Sequence, residues 1–169
     1  FADNTAGFVG GALSGSGITA QNSIFDGNSA GNPWDIQEQC TNSVQNSGGN
    51  FQYPQKTTGL GNDYECLAGV TAVDPHLGTL GNYGGPTQTA PLMAGSPAIN
   101  AGSGCSPTDQ RGFDRLDSCD SGAYEFGGGM VIAQLSPPWY GRNEAAPISV
   151  TVQGAGFTAN SVARWGGVD

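Results

Sequence analysis

Two arginines set among acids are the residues best suited to chemistry. Arg111 and Arg115 lie close in sequence to Asp109, Asp114, Asp117 and Asp120. Eliminative cleavage of an acidic polysaccharide uses such a set: Arg or Lys as the base, with carboxylates to hold calcium. Carboxylates facing each other across a groove at roughly 5–9.5 Å would instead hydrolyse a glycosidic bond. Asp26, Asp35 and Asp74 are candidate members, but with 14 acids in the chain their presence alone discriminates little. His76 is the only histidine, so no His pair exists for a metal or a proton relay. The Ser/Thr-rich segments contain no G-x-S-x-G elbow, and no phosphate-cradling Gly motif opens a helix. Trp34, Tyr53, Tyr64 and Tyr83 form a further set, either an aromatic platform for sugars or the cover of a loop.

Composition narrows the class. Five Lys and Arg against 14 Asp and Glu give a net charge of −9. That argues against a nucleic-acid groove, which needs clustered cations, and against binding to anionic lipid. No stretch approaches the roughly 18 apolar residues of a membrane helix. No basic leader precedes Phe1, so the front of the gene product is expected to be absent or cut off. Four cysteines allow three pairings, and the neighbour pairing is expected: Cys40 with Cys66, Cys105 with Cys119. Neither group has C-x-x-C spacing, which favours structural disulfides in an oxidising compartment. Each would add about 3–4 kcal/mol on the chain-entropy estimate.

The elements that must position these residues read as β-structure. The 29 glycines point to turns, and no run keeps a 3.6-residue apolar period with caps. Phe1-x-x-Asn4-Thr5-Ala6-Gly7 returns as Phe25-x-x-Asn28-Ser29-Ala30-Gly31, 24 positions later. A fixed period in the low twenties predicts stacked coils of a solenoid, with Phe25 over Phe1 and Asn28 over Asn4. Asn tolerates the left-handed corner between strands. Residues 10–13 and 17–20 supply further short strands. Residues 32–66 read as a long excursion pinned by the first disulfide, and 69–102 regain short apolar runs.

A succession of motifs then carries a resemblance. Val73-Asp74-Pro75-His76-Leu77-Gly78 comes first. Asn82-Tyr83-Gly84-Gly85-Pro86-Thr87-x-Thr89 and Gly95-Ser96-Pro97-Ala98-Ile99-Asn100-Ala101-Gly102 follow. Asp109-Gln110-Arg111-Gly112-x-x-Arg115 and Cys119-Asp120-Ser121-Gly122-Ala123-Tyr124-Glu125 close the series. Over residues 1–126 the chain resembles the closing segment of bacterial surface proteins called choice-of-anchor Q domains. The resemblance implies the C-terminal part of a right-handed parallel β-helix, sealed by a disulfide-braced cap of Asp109, Arg111, Arg115, Asp120 and Glu125. Arg111 is expected to pair with Asp120 or Glu125, since a planar guanidinium suits a carboxylate. His76 takes a structural place in its turn. Many relatives carry a longer Asp/Gly-rich insertion before the last Cys. Here it has shrunk to Leu116-Asp117-Ser118, so no calcium is expected.

The glycines at 127–129 read as a flexible hinge in which nothing can pack. Residues 130–169 resemble the start of an Ig-like IPT/TIG domain. Their features are a strand over 130–137, an alternating strand over 148–154, and Phe157 and Trp165 as sandwich core. Such a sandwich normally has about seven strands, and only about three fit.

The expectation is therefore an all-β, non-enzymatic structural protein of a bacterial surface: a stalk, adhesin or filament subunit, secreted and with no cofactor. Its partners would be further chain or neighbouring copies completing the open β ends. The alternatives are a polysaccharide-active lyase or hydrolase, and a glycan-binding module using Trp34, Tyr53 and Tyr83.

Overall fold

Glycine and asparagine recur so often that strands stay short. The computed structural model describes residues 1–31, 39–42, 44–55, 65–116, 118–129, 131–136, 149–155 and 157. Among them the chain is all-β, with no helix. Seven strands of two or three residues come first: β1 (Thr5–Ala6), β2 (Thr19–Ala20), β3 (Ile24–Asp26), β4 (Ser29–Ala30), β5 (Gln45–Asn46), β6 (Phe51–Tyr53) and β7 (Thr71–Ala72). Two longer ones follow, β8 (Val131–Ser136) and β9 (Thr151–Ala155).

Every pairing among the first seven is parallel. β1 lies beside β4, β2 beside β5, and β3, β6 and β7 form one sheet in that order. Partners are separated by 24 residues at Thr5 and Ser29, and by 26 at Thr19 and Gln45. Parallel neighbours need a crossover of a dozen or more residues, usually a helix. Between β1 and β4 that crossover is filled by β2, β3 and their turns. Asn22 (φ 49°) makes the corner between β2 and β3 in the left-handed region, where Asn is among the few tolerated residues. Gly27 (φ 60°) makes the next corner, and a Cβ there would meet Asp3 Oδ1 at 2.6 Å.

Alternation along β3 places the core. Phe25 enters a cluster with Ala20, Cys40, Val44, Cys66 and Leu67. Its neighbour Ile24 points the other way, into a second cluster with Phe51, Leu92, Ala98 and Tyr124. Between neighbouring chain passes the repeat aligns as its spacing predicts. The Phe1 ring stacks on Phe25, and Asn4 Nδ2 donates to Asn28 Oδ1 at 2.8 Å. Asn28 is fully buried and passes the chain of amides on, its Nδ2 donating to Gln39 Oε1 at 3.0 Å. Residues 10–13 form no strand; Leu13 makes a single parallel bridge to Cys40.

The disulfides join Cys40 to Cys66 and Cys105 to Cys119. β8 and β9 pair antiparallel, with an irregularity between Ile132 and Gln134. Phe157 is 38% exposed rather than in a sandwich core, and Trp165 lies outside the described residues. The 127–129 segment differs from the flexible hinge expected of three glycines. Gly128 is buried and its carbonyl accepts a hydrogen bond from Arg111 Nη2 at 3.0 Å.

Candidate functional site

Every residue of the sequence-assigned cap meets its partners in one buried network. The 14-residue separation of Cys105 and Cys119 closes a loop that carries Asp109, Arg111 and Arg115. Asp109 folds this loop locally. Its Oδ1 accepts the backbone N–H groups of Arg111 at 2.8 Å and Phe113 at 3.2 Å, the side-chain-to-backbone turn that Asp favours. Its Oδ2 accepts Arg111 Nε at 2.8 Å, Arg111 Nη2 at 2.6 Å and the Glu125 N–H at 3.0 Å.

Asp109, two residues away, is thus the carboxylate paired with Arg111, in place of the expected Asp120 or Glu125. The turn at Asp109 brings its own carboxylate back to the guanidinium. Glu125 offers Arg111 only its backbone carbonyl, at 2.8 Å. The guanidinium also lies over two rings, 3.5 Å from the Tyr124 centroid and 4.7 Å from that of Phe113.

Glu125 takes the second arginine instead. Arg115 Nη1 lies 2.9 Å from Glu125 Oε2 and also donates to the Asp120 carbonyl at 3.1 Å, while Nη2 donates to the Gly122 carbonyl at 2.7 Å. Glu125 accepts two backbone N–H groups as well, from Leu116 and Asp120. Asp120 holds the amides of Asn100 and Phe126. Burial pushes its carboxyl above the usual carboxylate range, against the pull of those two amides.

This arrangement leaves the arginines little room for chemistry. A general base must come within hydrogen-bond reach of the proton it removes. The Arg111 and Asp109 side chains are fully buried, and Arg115 is only 10% exposed. Asp114 is exposed and joins neither ion pair, while Asp117 lies outside the described residues. Among the described residues no group of three or more His, Cys, Asp or Glu side chains is placed to hold a metal ion.

The remaining candidates are scattered. Asp26 sits on β3 near Asp3 and Asp74, and burial with those two charges raises its pKa. Asp35 is outside the described residues. His76 is an exposed turn residue (φ 48°) whose N–H donates to Asp74 Oδ1 at 2.8 Å. Tyr53 is 41% exposed at the end of β6. Tyr83 meets Tyr124 edge to face, ring centroids 6.4 Å apart, and donates its hydroxyl to the Thr79 carbonyl. It lines a cleft of about 520 Å³ whose walls include Leu77, Pro91, Met93, Phe126 and Phe157. Trp34 and Tyr64 lie outside the described residues.

Sequence reasoning missed three contributors: Tyr124, Phe113 and Asn22. Asn22 fastens the second disulfide loop to the strands, its Nδ2 donating to the Ser103 carbonyl at 2.8 Å and to Cys105 Sγ at 3.2 Å. Its backbone carbonyl accepts the Gly122 N–H at 2.7 Å. The one signal that could have pointed to it is the tolerance of Asn for left-handed corners, which the repeat had directed to Asn4 and Asn28. Comparisons with protein-family models, with curated proteins and with solved structures give no match to this chain.

Proposed function

We propose that this chain is a non-catalytic structural module of a secreted bacterial surface protein, serving as a stalk, adhesin or filament subunit. Residues 1–126 form the C-terminal part of a right-handed parallel β-helix with its cap, and 130–169 open an Ig-like domain. One observation carries the reading: the parallel, in-register pairing that sets Phe25 against Phe1 and Asn28 against Asn4. Hydrogen bonds that repeat from one chain pass to the next resist extension along the stack. The serial motifs shared with choice-of-anchor Q domains support the same assignment. So does the use of Arg111, Arg115 and Glu125 in structural bonds.

The two disulfides fit an oxidising, extracellular setting, and no helix among the described residues is long and apolar enough to cross a membrane. Incubation with pectin and alginate, with and without calcium, tests the absence of catalysis. Unsaturated product absorbing in the ultraviolet would overturn the reading. Electron microscopy and sizing over a concentration series test assembly: filaments support it, and a monodisperse monomer at every concentration refutes it. A second reading, a glycan-binding module, is favoured only by Tyr83 in the cleft. On a sugar array, retention that Tyr83→Ala abolishes would establish it.

A further inference from the structure

We propose that the three glycines following the cap form a locked joint, with Arg111 as its bolt, so that the chain leaves the cap in one fixed conformation. The inference is independent of whether the module bears load.

A flexible glycine linker has a solvated backbone and no fixed partners. This segment has both a buried residue and fixed partners. The Gly128 N–H donates to the Glu125 carbonyl at 3.2 Å, which folds the segment into a turn. Arg111 then grips that turn at both ends: Nη2 donates to the carbonyls of Glu125 at 2.8 Å and Gly128 at 3.0 Å. The same nitrogen also meets Asp109 Oδ2 at 2.6 Å, so its two hydrogens are shared among three acceptors. With its side chain fully buried, the guanidinium makes charge-assisted bonds, about twice as strong as neutral ones.

Glycine is required here for close approach, the opposite of a hinge's requirement. Gly127 (φ 79°) and Gly129 (φ 65°) are left-handed, where an added Cβ is strained. At Gly128 a Cβ would come within 3.1 Å of the Glu125 side chain. At Gly129 it would come within 2.9 Å of the Phe113 ring, the ring that also supports Arg111. The backbone therefore lies directly on the aromatic platform. Arg111 serves two elements at once: it closes the 105–119 loop on itself and fixes the exit toward β8. Removing it should free the exit, while Arg115, Glu125 and the Cys105–Cys119 disulfide keep the cap assembled.

Backbone ¹⁵N relaxation and amide exchange on the full chain provide the test. In the wild type the heteronuclear NOE at Gly128 should equal that of cap residues such as Tyr124, and its amide should be protected. In Arg111→Gln, NOE values at 127–129 should fall and Gly128 exchange should quicken about tenfold or more, the size of one lost charge-assisted bond. The Asp120 and Leu116 amide signals should persist. Low NOE values across 127–129 in the wild type would overturn the proposal, as would an unchanged joint in a folded Arg111→Gln. If that variant unfolds the cap, Gly129→Ala drives a methyl into Phe113 while leaving Arg111 its carboxylate, Asp109. Mobility confined to 127–131 is then the supporting result, and an unaltered segment the refuting one.

Discussion

The ring of Phe1 lies flat on that of Phe25, centroids 5.2 Å apart and planes 5° from parallel. The two residues occupy one position of the repeat, yet Phe25 is fully buried and Phe1 is 55% exposed. Phe25 has neighbours on both sides of its ring, in the cluster with Val44 and Leu67, whereas Phe1 covers one face. Phe25→Ala should therefore cost about 3–5 kcal/mol, as a buried aromatic truncation does. Phe1→Ala should cost much less. Urea unfolding of the two variants gives the comparison, and equal losses would contradict the aligned stack.

Asn28 makes a sharper prediction because both ends of its amide are used. Its Oδ1 accepts from the Asn4 N–H at 3.1 Å and from Asn4 Nδ2 at 2.8 Å, while Nδ2 donates to Phe1 O and Gln39 Oε1, each at 3.0 Å. Asn28→Ala takes the Nδ2 donor from buried Gln39, at about 1–3 kcal/mol, and removes the part-buried bonds to exposed Asn4 and Phe1. Asn28→Asp keeps the shape but replaces that donor with a carboxylate oxygen facing two acceptors, Phe1 O and Gln39 Oε1. The Asp variant should be the less stable of the two at neutral pH and recover on acidification, when its carboxyl can donate again. Thermal unfolding at pH 7 and pH 4 reads this out.

Much of this stack was legible because a repeat writes its register into the sequence. Phe1 with Phe25 and Asn4 with Asn28 needed only a shared offset, whereas the left-handed corner fell on Asn22 and not on the repeat's own Asn4 or Asn28. The cap was legible as a set of residues through its motifs, but its wiring was not. Asp109 claims Arg111 because a local turn forms between them, and a turn two residues long outcompetes a carboxylate arriving from Glu125. The partners of the 127–129 glycines were not legible for a related reason. Composition cannot distinguish a glycine that is free from one that lets backbone lie against a ring, and the deciding partners, Arg111 and Phe113, are more than a dozen residues upstream.

Glu125 holds Arg115 at 2.9 Å with its own side chain fully buried. Breaking a buried pair from one side leaves an uncompensated charge, at about 3–5 kcal/mol. Arg115→Met should show that loss, since it strands Glu125 with only the Leu116 and Asp120 amides. The double variant Arg115→Met/Glu125→Met should regain part of it. Chemical denaturation of the wild type, both single variants and the double variant closes the cycle, and strictly additive losses would mean that the two side chains act independently.

The two disulfides should differ in accessibility. Cys40 and Cys66 are fully buried, whereas Cys105 and Cys119 are half-buried. Thiol–disulfide exchange needs the attacking thiolate to reach a sulfur. A small dithiol under native conditions, followed by alkylation and peptide mass mapping, should label Cys105 and Cys119 before Cys40 and Cys66. Replacing Cys40 and Cys66 together by Ala should cost about 3–4 kcal/mol on the loop-entropy estimate, measured under oxidising conditions.

Asp26 and Asp120 each contribute a pH dependence opposite to that of a salt-bridged carboxylate. For both, burial raises the carboxyl above its ordinary value of 3.8, and Asp26 is raised further by Asp3 and Asp74. A carboxyl raised in the fold binds its proton more tightly there than in the unfolded chain. Its contribution therefore favours the fold fully below 3.8 and is lost as the pH climbs through the raised folded value. Over that window folding takes up protons, so these two groups oppose the acid denaturation that paired carboxylates produce. Carbon-detected NMR titration should place both midpoints above 3.8. Asp3→Asn should lower the Asp26 midpoint by removing a like charge while leaving Asp120 where it is. A midpoint for Asp26 that ignores this substitution would mean that burial alone sets it and that the three carboxylates do not share a field.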